Sequence, residues 1–260
     1  MENQKIRFAF AGDRDIAVWV LKFILEQGYR PEFLLLSSPK KASHGTELRQ
    51  LCDFLDDSKI MRGTEFKLPE NIQRLKTAQL DYIFGIHFPY LIPKEVLDIP
   101  EIGVLNLHPA YLPFNRGWHT PSWAILENTP IGATLHFMEE ELDSGDIILQ
   151  KQLEILPNDT ANSLYARLKR LELEVFKEAW PFLVRKDFPR KKQNIALGTY
   201  HVKKDLFQED VQKLELDSTV QVKSLLQKLR ALTTNDLKEA AYFIQNGKKY
   251  RVQIKITPDE

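Results

Sequence analysis

The chain has 260 residues, of which 43% are hydrophobic and 28% charged, and its 36 Lys and Arg balance 36 Asp and Glu. That length can bury a sizeable core, enough for one main domain and a small appendage, while zero net charge disfavours a protein that coats nucleic acid. The single cysteine excludes an internal disulfide, and no segment approaches the roughly 20 apolar residues of a membrane span.

The opening residues, Met1 to Lys5, lack the apolar stretch of a secretory signal, so a cytoplasmic, reducing setting is the expectation. Ile6 to Gly12 is a short apolar run closed by glycine and reads as a buried strand. Asp13 or Asp15 can cap the helix that follows, where Ile16, Val20, Phe23 and Ile24 recur at helical spacing. Pro31 to Leu36 reads as a second strand, and Cys52, within helical-looking Leu51 to Leu55, as a small core residue. Leu80 to Ile86 and Val104 to Leu107 read as further strands with helical patterns between them. The alternation predicts right-handed βαβ units, hence an α/β fold with a Rossmann-like, mostly parallel sheet and helices on both faces.

Thr134 to Met138 and Ile147 to Leu153 read as two strands around the acidic loop Glu139 to Asp146. Asn158-Asp159-Thr160 is a cap signal for a long amphipathic helix with Leu164, Leu168, Leu171 and Val175 on one stripe. The basic run Arg185 to Lys192 breaks that pattern, as a solvated linker or as a hold for an anion. After about residue 200 the texture changes. Val220 to Leu232 has helical spacing, and Ala241 to Ile244, Asn246-Gly247 and Tyr250 to Ile254 predict a β-hairpin with a type I′ turn. The expected division is a catalytic domain over 1–200 and a small α+β appendage over 201–260. A lone hairpin is marginal in water, so the appendage should pack on the main domain or on a second subunit, which suggests a homodimer.

The candidate chemistry lies where Gly103 to Leu107 ends in His108-Pro109. Period two puts Asn106 and His108 on one face of that strand, at the carboxyl end where open α/β sheets bind ligands. Gly12 to Asp15 and Ile86 to Tyr90 should emerge at the same edge. Asp143, within Leu142-Asp143-Ser144-Gly145, adds a carboxylate if the loop reaches that point. An imidazole can accept a proton, a carboxamide can stabilise an oxyanion and a carboxylate can fix the tautomer, which together suit acyl transfer. The plainer alternative is a strand that ends in incidental polar groups. No G-x-G-x-x-G follows the first strand, no phosphate-binding G-x-x-x-x-G-K-[ST] loop is present, and the six histidines lack metal-ligand spacing, so no metal is expected. Phe88 to Pro93 either walls a planar ligand or packs as a turn, and Trp118 and Trp123 serve either the site or the core.

Three longer stretches carry a resemblance: Asn106 to Pro113 with Arg116-Gly117, Gly132 to Phe137, and Leu142 to Ile148. Together they resemble the folate-dependent formyltransferases, including the glycinamide ribonucleotide and methionyl-tRNA enzymes. Asn115 to Trp123 is more similar to sugar N-formyltransferases that act on dTDP-linked amino sugars. The resemblance covers roughly residues 5–180, and the C-terminal part is also similar to short members of the sugar group. It implies Asn106, His108 and Asp143 as the catalytic trio and 10-formyltetrahydrofolate as formyl donor, with no metal. It implies a pterin near Phe88, Pro89, Tyr90, Leu91 and Ile92 and near Glu139, Glu140 and Leu142. The dTDP-amino sugar would then lie near Gly12, Arg14, Asp15, His87, Arg116 and Trp118. The expected acceptor is an amino-dideoxyhexose destined for surface polysaccharide such as lipopolysaccharide O-antigen, with no nucleic-acid or membrane partner. Other acceptors, hydrolysis of the donor, and a silent nucleotide-sugar-binding protein are the competing expectations.

Overall fold

A computed structural model describes residues 5–259. Residues 1–4, part of the stretch read above as lacking a secretory segment, lie outside the described residues. In chain order the elements begin β1 (Phe8–Gly12), α1 (Arg14–Glu26), β2 (Phe33–Leu36), α2 (Gly45–Leu51), β3 (Ile60–Arg62) and α3 (Pro69–Thr77). They continue with β4 (Tyr82–Ile86), α4 (Lys94–Leu97), β5 (Gly103–His108), β6 (Arg116–Gly117), α5 (Thr120–Glu127), β7 (Ile131–Phe137) and β8 (Ile147–Leu153). The rest is α6 (Ala161–Arg185), β9 (Tyr200–His201), α7 (Glu209–Gln212), α8 (Val222–Ala231), β10 (Ala241–Gln245) and β11 (Lys248–Val252).

The principal sheet has seven strands in the order β3-β2-β1-β4-β5-β7-β8. β1 to β5 are parallel to one another. β1 and β4 are buried at every residue, which is why both are uninterrupted apolar runs rather than alternating ones. The chain winds outward from β1 through β2 to β3, then returns to β4 on the other side of β1. With right-handed crossovers, that reversal sends helices to both faces and opens a crevice at the β1/β4 switch point. The three-residue edge strand β3 has no readable periodicity and was not anticipated. Nor was the local exception to parallel order, in which β7 pairs antiparallel with β5.

The chain forms two compact units, each with its own core. One comprises Met1–His108, Thr134–Leu149 and Glu172–Gln193, and the other Pro109–Ala133, Gln150–Leu171 and Asn194–Glu260. In the first, Ala11, Leu35, Ile83 and Phe66 are buried in one cluster beneath the sheet's carboxyl edge. In the second, Trp123 packs with Leu206, Leu229, Leu232 and Ala241, so the hairpin strand β10 has apolar partners within its own chain. Asp13, not Asp15, caps α1 by accepting from the Arg14 amide. Thr160 caps α6, with the Ser163 amide donating to Thr160 Oγ1 and the Thr160 amide donating to Ser163 Oγ. The hairpin turns at Asn246 and Gly247, whose φ angles of 50° and 72° are those of a type I′ turn.

Candidate active site

Strand register builds the site. Gly12 pairs with Ile86 and Ile86 with Leu107, so the residues that follow, Asp13, His87 and His108, stand in one row at the sheet's carboxyl edge. Asn106 and His108 share a face of β5. Antiparallel pairing sets His136 opposite Asn106 and Thr134 opposite His108. His136 therefore lies directly beside the predicted oxyanion donor.

Asp143 reaches the same point through a constrained turn. Its φ of 54° is in the left-handed region, which Asp tolerates better than most residues. Gln193 Nε2 donates to the carbonyl oxygens of Asp143 (3.1 Å) and Gly145 (2.6 Å) and clamps the turn. A Cβ on Gly145 would meet the Phe137 carbonyl oxygen at 2.1 Å, so only glycine fits the turn this close to β7. Gly145 is thus a geometric requirement of the carboxylate's position.

The four polar groups converge. Asn106 Nδ2 donates to Asp143 Oδ1 at 3.2 Å and faces His136 Nε2 at 3.3 Å. His108 Nε2 is 3.5 Å from Asp143 Oδ2, an electrostatic contact longer than a hydrogen bond, and it is buried without a hydrogen-bond partner. His136 Nδ1 donates to the Phe137 carbonyl oxygen at 2.7 Å. Burial, against the attraction of Asp143, holds the His136 imidazole neutral, with its pKa depressed to about 4. A neutral ring with its hydrogen on Nδ1 leaves Nε2 as a bare acceptor. The amide orientation of Asn106 is thereby fixed as well: its NH2 bridges a carboxylate and an imidazole lone pair.

A cavity of about 260 Å³ opens beside this cluster, lined by Leu91, Ile92, Met138, Leu142, His136 and Asp143 with Lys94, Glu139 and Glu140. Five of the eight residues expected to hold a cofactor therefore line it: Leu91, Ile92, Glu139, Glu140 and Leu142. The other three do not. Phe88 and Tyr90 pack edge-on against Phe66 and tilted against each other, with centroids 5.1 to 6.4 Å apart, and Pro89 is exposed. Tyr90 also accepts from the Ser38 amide through its hydroxyl oxygen at 3.0 Å. Phe88 and Tyr90 thus pack within the turn, whereas Leu91 and Ile92 line the cavity.

The expected substrate residues divide. Gly12 ends β1, and Arg14 (φ 66°, exposed) and Asp15 open α1 beside the row. Asp13, expected as a possible cap within the Gly12 to Asp15 segment, is the hub of this edge. Its carboxylate accepts from the Arg14, Ser43 and His44 amides and from the Ser37 and Ser43 hydroxyls. Burial raises its pKa, but these hydrogen bonds outweigh it and the net shift is downward. His87, at φ 50°, points Nε2 at Glu172 Oε1, 2.7 Å away, and Glu172 is fully buried. Glu172 was invisible in the sequence because it sits inside an amphipathic helix pattern. Arg116 and Trp118 belong to the second unit. There Arg116 is buried on β6, its amide donating to the Thr199 carbonyl, while Trp118 is exposed beneath the Lys203 ammonium. Trp123 is core, stacked on His201 at 3.7 Å.

Residues 33–180 match the formyl transferase family. The chain belongs to that family. Residues 208–258 match the N-formyltransferase dimerization C-terminal domain. A dTDP-4-amino-4,6-dideoxyglucose formyltransferase from Mycobacterium bovis is 29% identical over 180 residues, covering 69% of this chain and 75% of its own length. A methionyl-tRNA formyltransferase from Fusobacterium nucleatum is 36% identical over 143 residues, but that spans 55% of this chain and 46% of the relative. The crystal structure of a 4-N formyltransferase from Francisella tularensis matches with a TM-score of 0.80 at 26% identity, covering 98% of this chain and 99% of that one. Among the described residues no group of His, Cys, Asp and Glu is arranged to hold a metal, and no helix is long and apolar enough to cross a membrane.

Proposed function

We propose that this formyltransferase moves the formyl group of 10-formyltetrahydrofolate to the amine of a dTDP-linked amino-dideoxyhexose, of the 3-amino or 4-amino-4,6-dideoxyglucose type. The observation that carries the reading is the meeting of Asn106, His108 and Asp143 beside the cavity walled by Leu91, Ile92 and Met138. That cavity suits a planar, largely apolar ring with polar edges. The donor supplies an activated formyl carbon when bound. The neutral sugar amine attacks it, forming a carbon–nitrogen bond as the bond to the donor nitrogen breaks. His108 accepts the proton that the amine sheds and returns it to the departing nitrogen, so the exchange is proton-neutral overall. Asp143 stabilises the imidazolium, and Asn106 donates to the oxygen that gains negative charge.

The match to a dTDP-4-amino-4,6-dideoxyglucose formyltransferase over 75% of its length, and the end-to-end match to a 4-N formyltransferase, support this acceptor over the methionyl-tRNA alternative, whose relatives are matched over 46% to 70% of theirs. Zero net charge also gives tRNA little electrostatic attraction. We further propose a cytoplasmic homodimer, with catalysis within residues 1–200 and dimerisation through 201–260, where Ile244 and Tyr250 are exposed on the hairpin. The product would serve surface polysaccharide. The deciding experiment is turnover with 10-formyltetrahydrofolate against the C-3 and C-4 dTDP-amino sugars, glycinamide ribonucleotide and methionyl-tRNA. Turnover confined to one dTDP-sugar supports the reading; formylation of tRNA, or formate release without any amine, overturns it. Sedimentation of the full chain tests the dimer, and a monomer at micromolar concentration contradicts it.

A further inference from the structure

His136 has no part in the proton-transfer scheme, yet it is completely buried beside the reacting groups. Histidines in fully apolar strands are costly to bury unless both nitrogens are engaged. Here both are. Nδ1–H is fixed on the Phe137 carbonyl oxygen at 2.7 Å, and Nε2 faces the Asn106 NH2 at 3.3 Å. The whole of β7 is buried from Ile131 to Phe137, so the ring has no solvent to turn into and rotation would forfeit its Nδ1 hydrogen bond. Its register partner is Asn106 itself. The second acceptor of that NH2, Asp143, sits on a turn rather than in the sheet, and its other oxygen is already 3.5 Å from His108.

The two acceptors of Asn106 are therefore unequal: the His136 ring is pinned by its own Nδ1 hydrogen bond, whereas the Asp143 carboxylate, though its backbone turn is clamped, has a second partner in His108 toward which the side chain can rotate. We propose that His136 is a positioning residue that anchors the Asn106 carboxamide through one N–H, leaving the other free for the developing oxyanion once Asp143 turns toward the imidazolium of His108. As His108 takes a proton, its attraction for the carboxylate rises and the Asp143–Asn106 hydrogen bond weakens. The released N–H then needs no reorientation, because the amide plane is held from the other side. A preorganised donor of this kind outperforms one that must be recruited. Protonation of His136 would convert its acceptor into a donor and turn the amide away, and its burial opposes that protonation.

The inference rests on Asn106 being the oxyanion donor, and the test separates the two. His136→Gln places a side-chain oxygen where Nε2 was and can still accept from Asn106; His136→Met fills similar space and cannot. The expected result is a fall in kcat of roughly 100-fold for His136→Met, with KM for both substrates within about threefold, and recovery to within about fivefold of the parent for His136→Gln. On the unaltered protein, nitrogen-15 spectra should show His136 neutral, with Nδ1 protonated and Nε2 bare. Equal kcat in both variants and the parent, equal losses in both variants, or a proton on Nε2 in the unaltered protein would overturn the anchor role, even if the Met variant fails to fold. His108→Asn is the control: if it retains turnover, the catalytic reading falls first and the anchor with it.

Discussion

The β5–β7 edge and the β10–β11 hairpin are both antiparallel pairs, but they are specified in opposite ways. The hairpin is closed by adjacent residues: Gln245 pairs with Lys248 across Asn246-Gly247, and everything needed to form the turn lies within four letters. The β5–β7 pair joins Asn106 to His136 across 30 residues, and its function depends on a turn at Asp143 that Gln193 clamps from 50 residues further on. One region is specified by neighbouring residues; in the other, Asn106, His108 and His136 each lie within 4 Å of the Asp143 carboxylate. Substitutions of similar chemistry should therefore have very different effects in the two places.

The largest contrast is expected at His108. His108→Asn removes the only proton acceptor assigned to the reaction, and kcat should fall by about 10³-fold. Calorimetric affinity for a dTDP-sugar should stay within a few-fold of the parent, since the side chain is not proposed to bind the nucleotide. Retained turnover would place the base elsewhere.

Next is the pH dependence of stability. His136 is neutral in the folded protein, with its pKa depressed from 6.5 to about 4 by burial. Between those values the unfolded chain binds a proton that the folded protein excludes. Stability is therefore intact above pH 6.5 and falls as pH drops toward 4, by about 3 kcal/mol at most. Urea midpoints from pH 7 to pH 4 measure it, and His136→Gln should flatten that slope. An unchanged slope in the variant would mean that other groups carry the acid sensitivity.

The contrast also shows what the sequence could and could not reveal. Fully apolar runs such as Phe8 to Gly12 and Tyr82 to Ile86 announce buried parallel strands, because nothing polar interrupts them. Asn106 and His108 were legible because two polar groups at period two end such a run. His136 carried the same signal, one histidine inside a seven-residue buried strand, but its meaning depends on a partner strand and an antiparallel register that no local pattern encodes. Glu172 and Gln193 are ordinary polar letters until the fold brings them to His87 and to the Asp143 turn. The Phe88 to Ile92 segment was half legible: its apolar letters allowed a ligand wall or a packed turn, and the split between Phe88 and Tyr90, packed on Phe66, and Leu91 and Ile92, lining the cavity, depends on a ring from another part of the chain.

A matched pair of glycine substitutions probes the comparison directly. In Gly145→Ala the new methyl would lie 2.1 Å from the Phe137 carbonyl oxygen, so the turn must move. Overpacking of this kind costs about 1–3 kcal/mol. Because the displaced turn carries Asp143, kcat should fall by at least about tenfold along with the melting temperature. Loss of stability with unchanged kcat would mean that the carboxylate's position is less critical than the 3.2 and 3.5 Å contacts imply.

Gly247→Ala should have the smallest effect. Its Cβ would meet no atom within 4 Å, so no clash arises, but the residue sits at φ 72°, where an L side chain is strained. The expected cost is about 1 kcal/mol from backbone conformation alone. It should appear as a modest drop in melting temperature with kcat and KM unchanged, because the strain is confined to a two-residue turn. If the substitution instead lowers activity, strain at the hairpin tip must reach the reacting groups, and the appendage would then be part of the catalytic apparatus. If it leaves activity intact but shifts sedimentation toward monomer, the hairpin's exposed Ile244 and Tyr250 mark where two copies meet. The same one-carbon change thus measures packing at Gly145 and backbone freedom at Gly247, and the ratio of the two losses reports how much more tightly the long-range turn is constrained than the local one.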